Sequence, residues 1–584
     1  MRRVRAVTSP RRGMTEMARI SRQAYAEMFG PTRGDMVRLG DTTLLAEVEH
    51  DYAVFGDELT TGAGKVMRDG EGFQTTGTYA SGALDMVVQN CTIIDPVLGV
   101  VKGDIGIRDG LIVGVGKAGN PDIMDGVDAA LRCGPNTTVV HGDFFITTPG
   151  GIEAHTHFLS PQQTSHALAG GITTMIGMSP GPHFDVSSSG PNILGRLIQA
   201  CDAFPLNFGF LGRGCMDAGA IEESVSGGAL GVKVHEDFSA SPAVIDGALR
   251  AADANDFAVC LHTDTINEFG FCEETLAAID GRTIHMYHVE GAGGGHSPDI
   301  LKVNGQPNVL PSSTNPTNPF TPSALEEGVP MTMLCHVLNY ALPEDVAFAE
   351  CRIRPQSMAA EDLLHDMGAI SIFATDSQGM GRLAENIANC WQLASVMKER
   401  VGRLPEEKTE RADNARILRY IAKYTINPAR AAGIDRHVGS LESGKMADLV
   451  LWPRASFGLK PQMVIKSGEV VWSVMGDGNG SHIGAEPVIH RPMWGSFGKA
   501  VPELGVTFVS RLAIEAETEK KLGVAKRFLQ IDNVRSLGKQ DMLHNDALPK
   551  MTVDAQTFEV YADDKLLSCE PATEVPLAQK YLLR

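Results

Sequence analysis

Seven side chains able to bind metal or move protons recur along this sequence at strand-like spacing. His155 and His157 lie two apart in HTH, Lys233 and His235 two apart in KVHED, and His262, His288 and Asp376 follow at the ends of later apolar runs. Residues two apart in a strand face the same side, so each HxH or KxH pair can aim at one site. Four imidazoles and one carboxylate (His155, His157, His262, His288, Asp376) suit zinc, nickel, iron or manganese. They are too many for one metal that keeps an open position, so the set points to two. A lysine ammonium cannot ligate a cation, so a lysine between two metals must give up its charge. A neutral amine can add CO2 and become a carbamate, a bridging carboxylate. A metal pair polarises a carbonyl and makes hydroxide from bound water, so the chemistry is metal-assisted hydrolysis of an amide-like bond. Taken singly each residue has a blander reading. A strand histidine is usually a satisfied core residue, Lys233 would serve as a solvated strand-end charge, and Asp376 as a turn or N-cap residue. The order and spacing together favour the site. His285 and His296 read as structural. Cys335 next to His336 offers the residue types of a thiol hydrolase, but nucleophile and base are normally brought together in space rather than in sequence.

Positioning these residues requires parallel strands. Ile172–Met178, Asn207–Gly212, Leu230–Asp237, Phe257–Asp264, Thr283–Gly291 and Ala369–Ser377 are short apolar runs separated by helix-like segments such as Pro242–Asp256. That alternation is the signature of βαβ units. With a first strand ending in HTH and another near Val329–His336, the count reaches eight, and the fold class is α/β with a (βα)8 barrel over 150–434. In such a barrel the C-terminal strand ends converge on one mouth. Val- and Ile-rich runs with Asp/Gly turns at Asp85–Asp95, Gly103–Gly116, Val438–Trp452 and Gln462–Gly476 predict a smaller β domain built from 20–149 and 435–490. Residues 491–584 are a mixed α/β segment packing on the barrel. Residues 1–19 open with five arginines in Met1–Gly13 and no following apolar stretch, which predicts a disordered extension, or a start at Met14 or Met17, rather than a signal peptide.

Composition narrows the function classes. Lys and Arg number 51 against 71 Asp and Glu, a net charge of −20, which argues against a nucleic-acid or anionic-membrane partner. No apolar run approaches the roughly 20 residues needed to span a bilayer. The 10 cysteines are scattered without a CxxC pair, which reads as a reduced, cytoplasmic protein.

HTH, the strand lysine, the two later strand histidines, the final aspartate and GSLESGKMADLVLW resemble the amidohydrolase superfamily. Within it, ISRQAYAEMFGPTRGD, PQQTSHALAGGITTMIG, KVHEDF, HTDTINEFGF, GRTIHMYHVEGAGGGH, VLPSSTNPT, EDVAFAECRIR, TDSQGMGR, RYIAKYTINPA, GDGNGSH and VDAQTFEV are similar to the urease alpha (large catalytic) subunit family, across nearly the whole chain. The resemblance implies hydrolysis of urea to ammonia and carbamate by a metal-bridging hydroxide. It implies two nickel ions, with iron the alternative that these ligands also accept, bridged by a CO2-derived carbamate on Lys233. His262 and His288 would hold one metal, and His155, His157 and Asp376 the other. His235 would donate to the urea carbonyl, and His336, on a mobile flap, would act as general acid, oriented by Asp237 and Arg352. Cys335 would line the flap entrance. Implied partners are urease beta and gamma subunits as separate chains, accessory proteins for metal insertion, and a trimeric assembly of heterotrimers. The chain departs from the family pattern in two places: Val337 stands where a second flap histidine is usual, and the loop Met178–Asn192 is several residues shorter. The shorter loop predicts weaker urea binding. Two rival readings follow, a cyclic-amide or ureide hydrolase of the same superfamily and a silent metal-binding paralogue.

Overall fold

A computed structural model describes residues 19–61, 67–178, 190–314 and 316–578. The basic N-terminal stretch up to residue 18 and the core of the short loop, 179–189, lie outside the described residues. Eight parallel strands follow one another in chain order: β1 (Gly151–His157), β2 (Ile172–Met178), β3 (Asn207–Arg213), β4 (Gly231–Val234), β5 (Ala258–Leu261), β6 (Ile284–Met286), β7 (Val309–Ser313) and β8 (Ile372–Phe373). Each pairs with the next. The ring closes just past β8, where Ser377 bridges Thr156. There the His157 amide donates to the Ser377 carbonyl at 2.9 Å, and the Ser377 amide to the His155 carbonyl at 3.3 Å.

The connecting helices follow their sequence signals. In Pro242–Asn255 the first turn begins with Pro242, whose missing N–H needs no partner there. Val244, Ile245, Ala248, Leu249 and Ala252 are buried, the stripe expected of a helix laid on a sheet. Asp256 ends the helix in the left-handed conformation, φ 51°. The barrel strands are buried along almost their whole length, as strands covered on both faces must be. The buried strand residues nonetheless include Glu153, His155 and His157 on β1 and Lys233 on β4.

One strand expectation is corrected. Val329–His336 is not a strand: it falls at the end of the helix Pro322–Cys335, and the seventh barrel strand is Val309–Ser313. Thr321 accepts from the Ala324 amide, and Pro322 opens the first turn, so the apolar run after them continues a capped helix.

Segments from before and after the barrel share a second sheet. Phe145–Pro149 pairs antiparallel with Leu449–Pro453, and Trp452 Nε1 donates to Thr148 Oγ1 across that seam at 2.9 Å. Further along the chain, Val506–Val509 adds in parallel to β3. Buried Lys526 donates to the Phe204 and Leu206 carbonyls at 2.7 and 2.8 Å, and buried Lys539 to the Asn304 carbonyl at 3.0 Å, fastening this C-terminal segment to the barrel. Among the described residues no helix is long and apolar enough to cross a membrane. The ten cysteines are free thiols.

Candidate metal centre

His155 and His157 project from the end of β1, Lys233 from β4, and His235, His262, His288 and Asp376 from the segments just past β4, β5, β6 and β8. All seven are buried, Lys233 completely. That removes the reading of Lys233 as a solvated charge. His157 Nε2 lies 2.9 Å and His155 Nε2 3.3 Å from Asp376 Oδ1. Lys233 Nζ is 3.0 Å from His155 Nε2. Among the described residues, His155, His157 and Asp376 form the one group of three whose ligand atoms all fall within 4.8 Å of one another. The rings of His155 and His288 are 5.0 Å apart, those of His262 and His288 4.5 Å, and those of His235 and His262 3.9 Å, so the other imidazoles join the same cluster.

The hydrogen bonds fix which nitrogen of each ring is left to bind. His262 Nε2 faces Glu236 Oε1 at 2.9 Å, so its proton sits there. Its Nδ1 is buried without a hydrogen-bond partner, which is costly for a polar atom unless something else takes its lone pair. His288 Nδ1 lies 3.1 Å from Thr314 Oγ1, whose own proton goes to Glu290 Oε1 at 2.8 Å. His288 therefore donates from Nδ1 and keeps a lone pair on Nε2. His235 Nδ1 accepts from the Asp237 amide at 3.1 Å, which leaves Nε2–H as a donor. Burial, reinforced by neighbouring positive groups, holds His155, His235 and His288 well below the usual imidazole range, so all three are neutral. Burial opposes ionisation of Asp376, but the His157 bond together with the surrounding His157, His288 and Lys233 outweighs it and holds the carboxyl below its ordinary range.

Glycines let the ligands sit this close. A Cβ on Gly293 would come within 2.1 Å of His288 Nδ1, and one on Gly294, at φ +150°, within 2.4 Å of His262 Cε1. The GAGGGH run is thus a wall against the His262 and His288 rings.

Above the cluster, His336 caps the helix Pro322–Cys335, and Arg352 ends the helix Pro343–Arg352. Arg352 Nη1 donates to His336 Nε2 at 2.6 Å, and Arg352 Nη2 to Glu236 Oε1 at 2.7 Å. Burial first, then the Arg352 charge, lowers His336 to about 3. Both Arg352 and His336 pack on the Phe348 ring, at 4.2 and 5.5 Å. Cys335 is half-buried on the same helix. Asp237 meets His235, with its carboxylate 3.8 Å from Nδ1.

Residues 146–471 match the model of the amidohydrolase family, and residues 18–140 that of the urease alpha-subunit N-terminal domain. The urease subunit alpha of Natronomonas pharaonis is 54% identical over 566 residues, covering 97% of this chain and 99% of its own. Those of Haloquadratum walsbyi and Haloarcula marismortui are each 52% identical, again over 97% of this chain. The chain belongs to the urease alpha-subunit family.

A metal pair fits the donor set of this urease-family chain. His262 Nδ1, orphaned and buried, and the lone pair on His288 Nε2 would hold one ion, and the His155, His157 and Asp376 group the other, with Lys233 between. The residues that sequence reading passed over are the ones that orient these ligands. Glu236 binds His262 and Arg352 together. Glu153 accepts from the His155 and Thr375 amides, both at 3.0 Å, and so ties the first strand to the last beside two ligands. Burial raises Glu153 to about 8. Glu153 lies two residues before His155 and Glu236 directly follows His235, but that spacing alone sets neither apart from an ordinary strand-end acid. His285 and His296 do not join the centre. His296 is held by Thr275 Oγ1 and Asn267 Oδ1, each at 2.8 Å, and His285 lies deeper, against Cys260.

Proposed function

We propose that this chain is the catalytic subunit of a urease, hydrolysing urea to ammonia and carbamate. The observation that carries the reading is the convergence of His155, His157 and Asp376 with Lys233 at one buried mouth. In this reading Lys233, as its CO2-derived carbamate, would help hold two nickel ions. The metal pair, when bound, supplies Lewis acidity and a hydroxide nucleophile at neutral pH. The protein's own groups do the rest. His235 Nε2–H donates to the urea carbonyl oxygen, and its tautomer is fixed for that by the Asp237 amide. His336 is the general acid for the leaving nitrogen. An imidazolium in its surroundings is a strong acid, which favours handing the proton on, though little of it is protonated at rest. Arg352 and Asp237 orient His336, Arg352 through its direct bond to Nε2, while the Asp237 carboxylate also lies 3.8 Å from His235 Nδ1. Cys335 lines the entrance from the flap helix.

Membership of the family also supports partners: urease beta and gamma subunits, accessory proteins for nickel insertion, and a trimer of heterotrimers in the cytoplasm. The test is metal analysis of the purified complex together with ammonia release from urea. Two nickel ions per chain and urea turnover are expected. Turnover of hydantoin or dihydroorotate without urea would overturn the substrate, and a loaded but inert protein would overturn the reaction.

A further inference from the structure

We infer that Tyr287 is a positioning residue of this centre, a two-point clamp that sets the plane of His155 and so governs retention of the metal on the His155 side. This rests on the binuclear reading above. Tyr287 follows β6 directly, is fully buried, and sits next to His288. Its ring stacks on His155 with centroids 3.8 Å apart and planes at 12°. Its hydroxyl donates to the carbonyl of Ala154, the residue just before His155, at 2.8 Å. One side chain therefore fixes both the backbone that carries His155 and the tilt of its ring. An imidazole on a strand end retains rotation about χ2, a broad torsion with no sharp staggered wells. A stacked neighbour is what confines it.

The clamp is itself supported from below. His285 meets the Tyr287 ring edge-on at 4.8 Å, and Cys260 Sγ lies 3.8 Å from His285 Nδ1. The space beneath, bordered by Ala154, Leu230, Cys260 and His285, is about 10 Å³, room for one water at most. The ring cannot drop away from His155. It bears differently on the two ligand sets. It lies face to face with His155, but nearly perpendicular to His288 at 77° and 6.4 Å. His288 is oriented by Thr314 instead. Loss of the Tyr287 ring should therefore loosen one side of the centre and spare the other.

The experiment uses the assembled, nickel-loaded enzyme, with nickel release followed in excess chelator and the occupancy of each position read from anomalous scattering in crystals soaked in the same chelator. In Tyr287→Leu, which removes stack and anchor, the nickel on His155, His157 and Asp376 should leave at least tenfold faster, with the nickel on His262 and His288 within twofold of wild type. Tyr287→Phe keeps the stack and loses only the hydroxyl. Its release on the His155 side should be faster by about twofold to tenfold, the range of one neutral hydrogen bond. Equal acceleration at both positions would mean general loosening and would overturn the role, as would wild-type release in the Leu variant. If the Leu variant does not fold, Tyr287→Phe decides alone, and unchanged or unselective release overturns the clamp. Wild-type enzyme holding one nickel per chain would remove the binuclear reading instead, and the same variants would then be read on that ion.

Discussion

Replacing Glu236 with glutamine should uncouple the metal ligands from the flap. Four donors converge on its carboxylate: His262 Nε2 at 2.9 Å, Arg352 Nη2 at 2.7 Å, the Thr265 amide at 2.6 Å and Thr265 Oγ1 at 3.0 Å. A carboxylate is acceptor-only and can meet all four; an amide offers one oxygen and two donors of its own. Whichever way it turns, its NH2 abuts a donor. The milder choice sets NH2 against the Thr265 amide, and leaving that group unsatisfied costs about 1–3 kcal/mol. Arg352, almost fully buried, also loses its counter-charge, and breaking a buried pair costs about 3–5 kcal/mol. Burial works against ionisation of Glu236, yet His262 and Arg352 together hold it well below the usual carboxylate range, so the pair is charged in the resting protein. Groups that orient metal ligands typically change metal affinity or activity by roughly 10- to 100-fold when altered. We therefore expect Glu236→Gln to lose nickel affinity and kcat by factors in that range, with KM within about twofold, because Glu236 positions rather than grips urea. Arg352→Met should separate the two effects: kcat falls while nickel affinity holds, since Glu236 still fixes His262. The assays are nickel titration against a competing chelator and ammonia release. A Glu236→Gln enzyme with wild-type nickel affinity and kcat would refute the coupling, and so would an Arg352→Met enzyme that loses metal as readily.

Lys233→Ala should lose metal and activity together while thermal unfolding shows the fold intact, and wild-type assembly should depend on dissolved CO2; a variant keeping two metals per chain would remove the bridging role. The chain expressed without small subunits and accessory proteins should be metal-poor or inactive, and full activity from it in plain nickel buffer would contradict that. Asp95 gives a pH signature away from the metals. Burial raises it to about 6 although it accepts from the Val97, Leu98 and Leu441 amides. The folded state thus holds this proton more tightly than the unfolded chain does. The stabilisation is complete below about pH 4 and is lost as pH rises through 6, by roughly 3 kcal/mol at about 1.4 kcal/mol per unit. Guanidinium unfolding from about pH 4.5 to 7.5, chosen because urea is the proposed substrate, should show Asp95→Asn with the flatter profile; parallel profiles would sink the assignment.

What was legible in the sequence, and what was not, divides along a physical line. Strand alternation is local, so HTH and KVH announced their shared faces, and the barrel's single mouth gathered them without knowledge of packing. The seventh strand was hidden because its run VLPSS carries Pro311, which cannot donate to a ladder and so argues against a strand. Here the Pro311 carbonyl is the group in use, accepting from the Ser371 amide at 3.1 Å. The apolar run at Val329–His336 looked more strand-like, but it belongs to a helix whose buried residues are Gly328, Thr332 and Met333, a helical spacing that follows the cap at Thr321. Glu236, Glu153 and Tyr287 could not be assigned from spacing, because their partners are remote in the chain: Glu236 to His262 and Arg352, Glu153 to Thr375, Tyr287 to His155 and Ala154. Metal ligands are types that announce themselves. The groups that set a ligand's tautomer or ring plane are ordinary acids and aromatics, and only tertiary contact gives them that task. Variants at those three positions therefore test contacts that only the folded site makes, whereas variants at the proposed ligands test roles that residue type and spacing suggest.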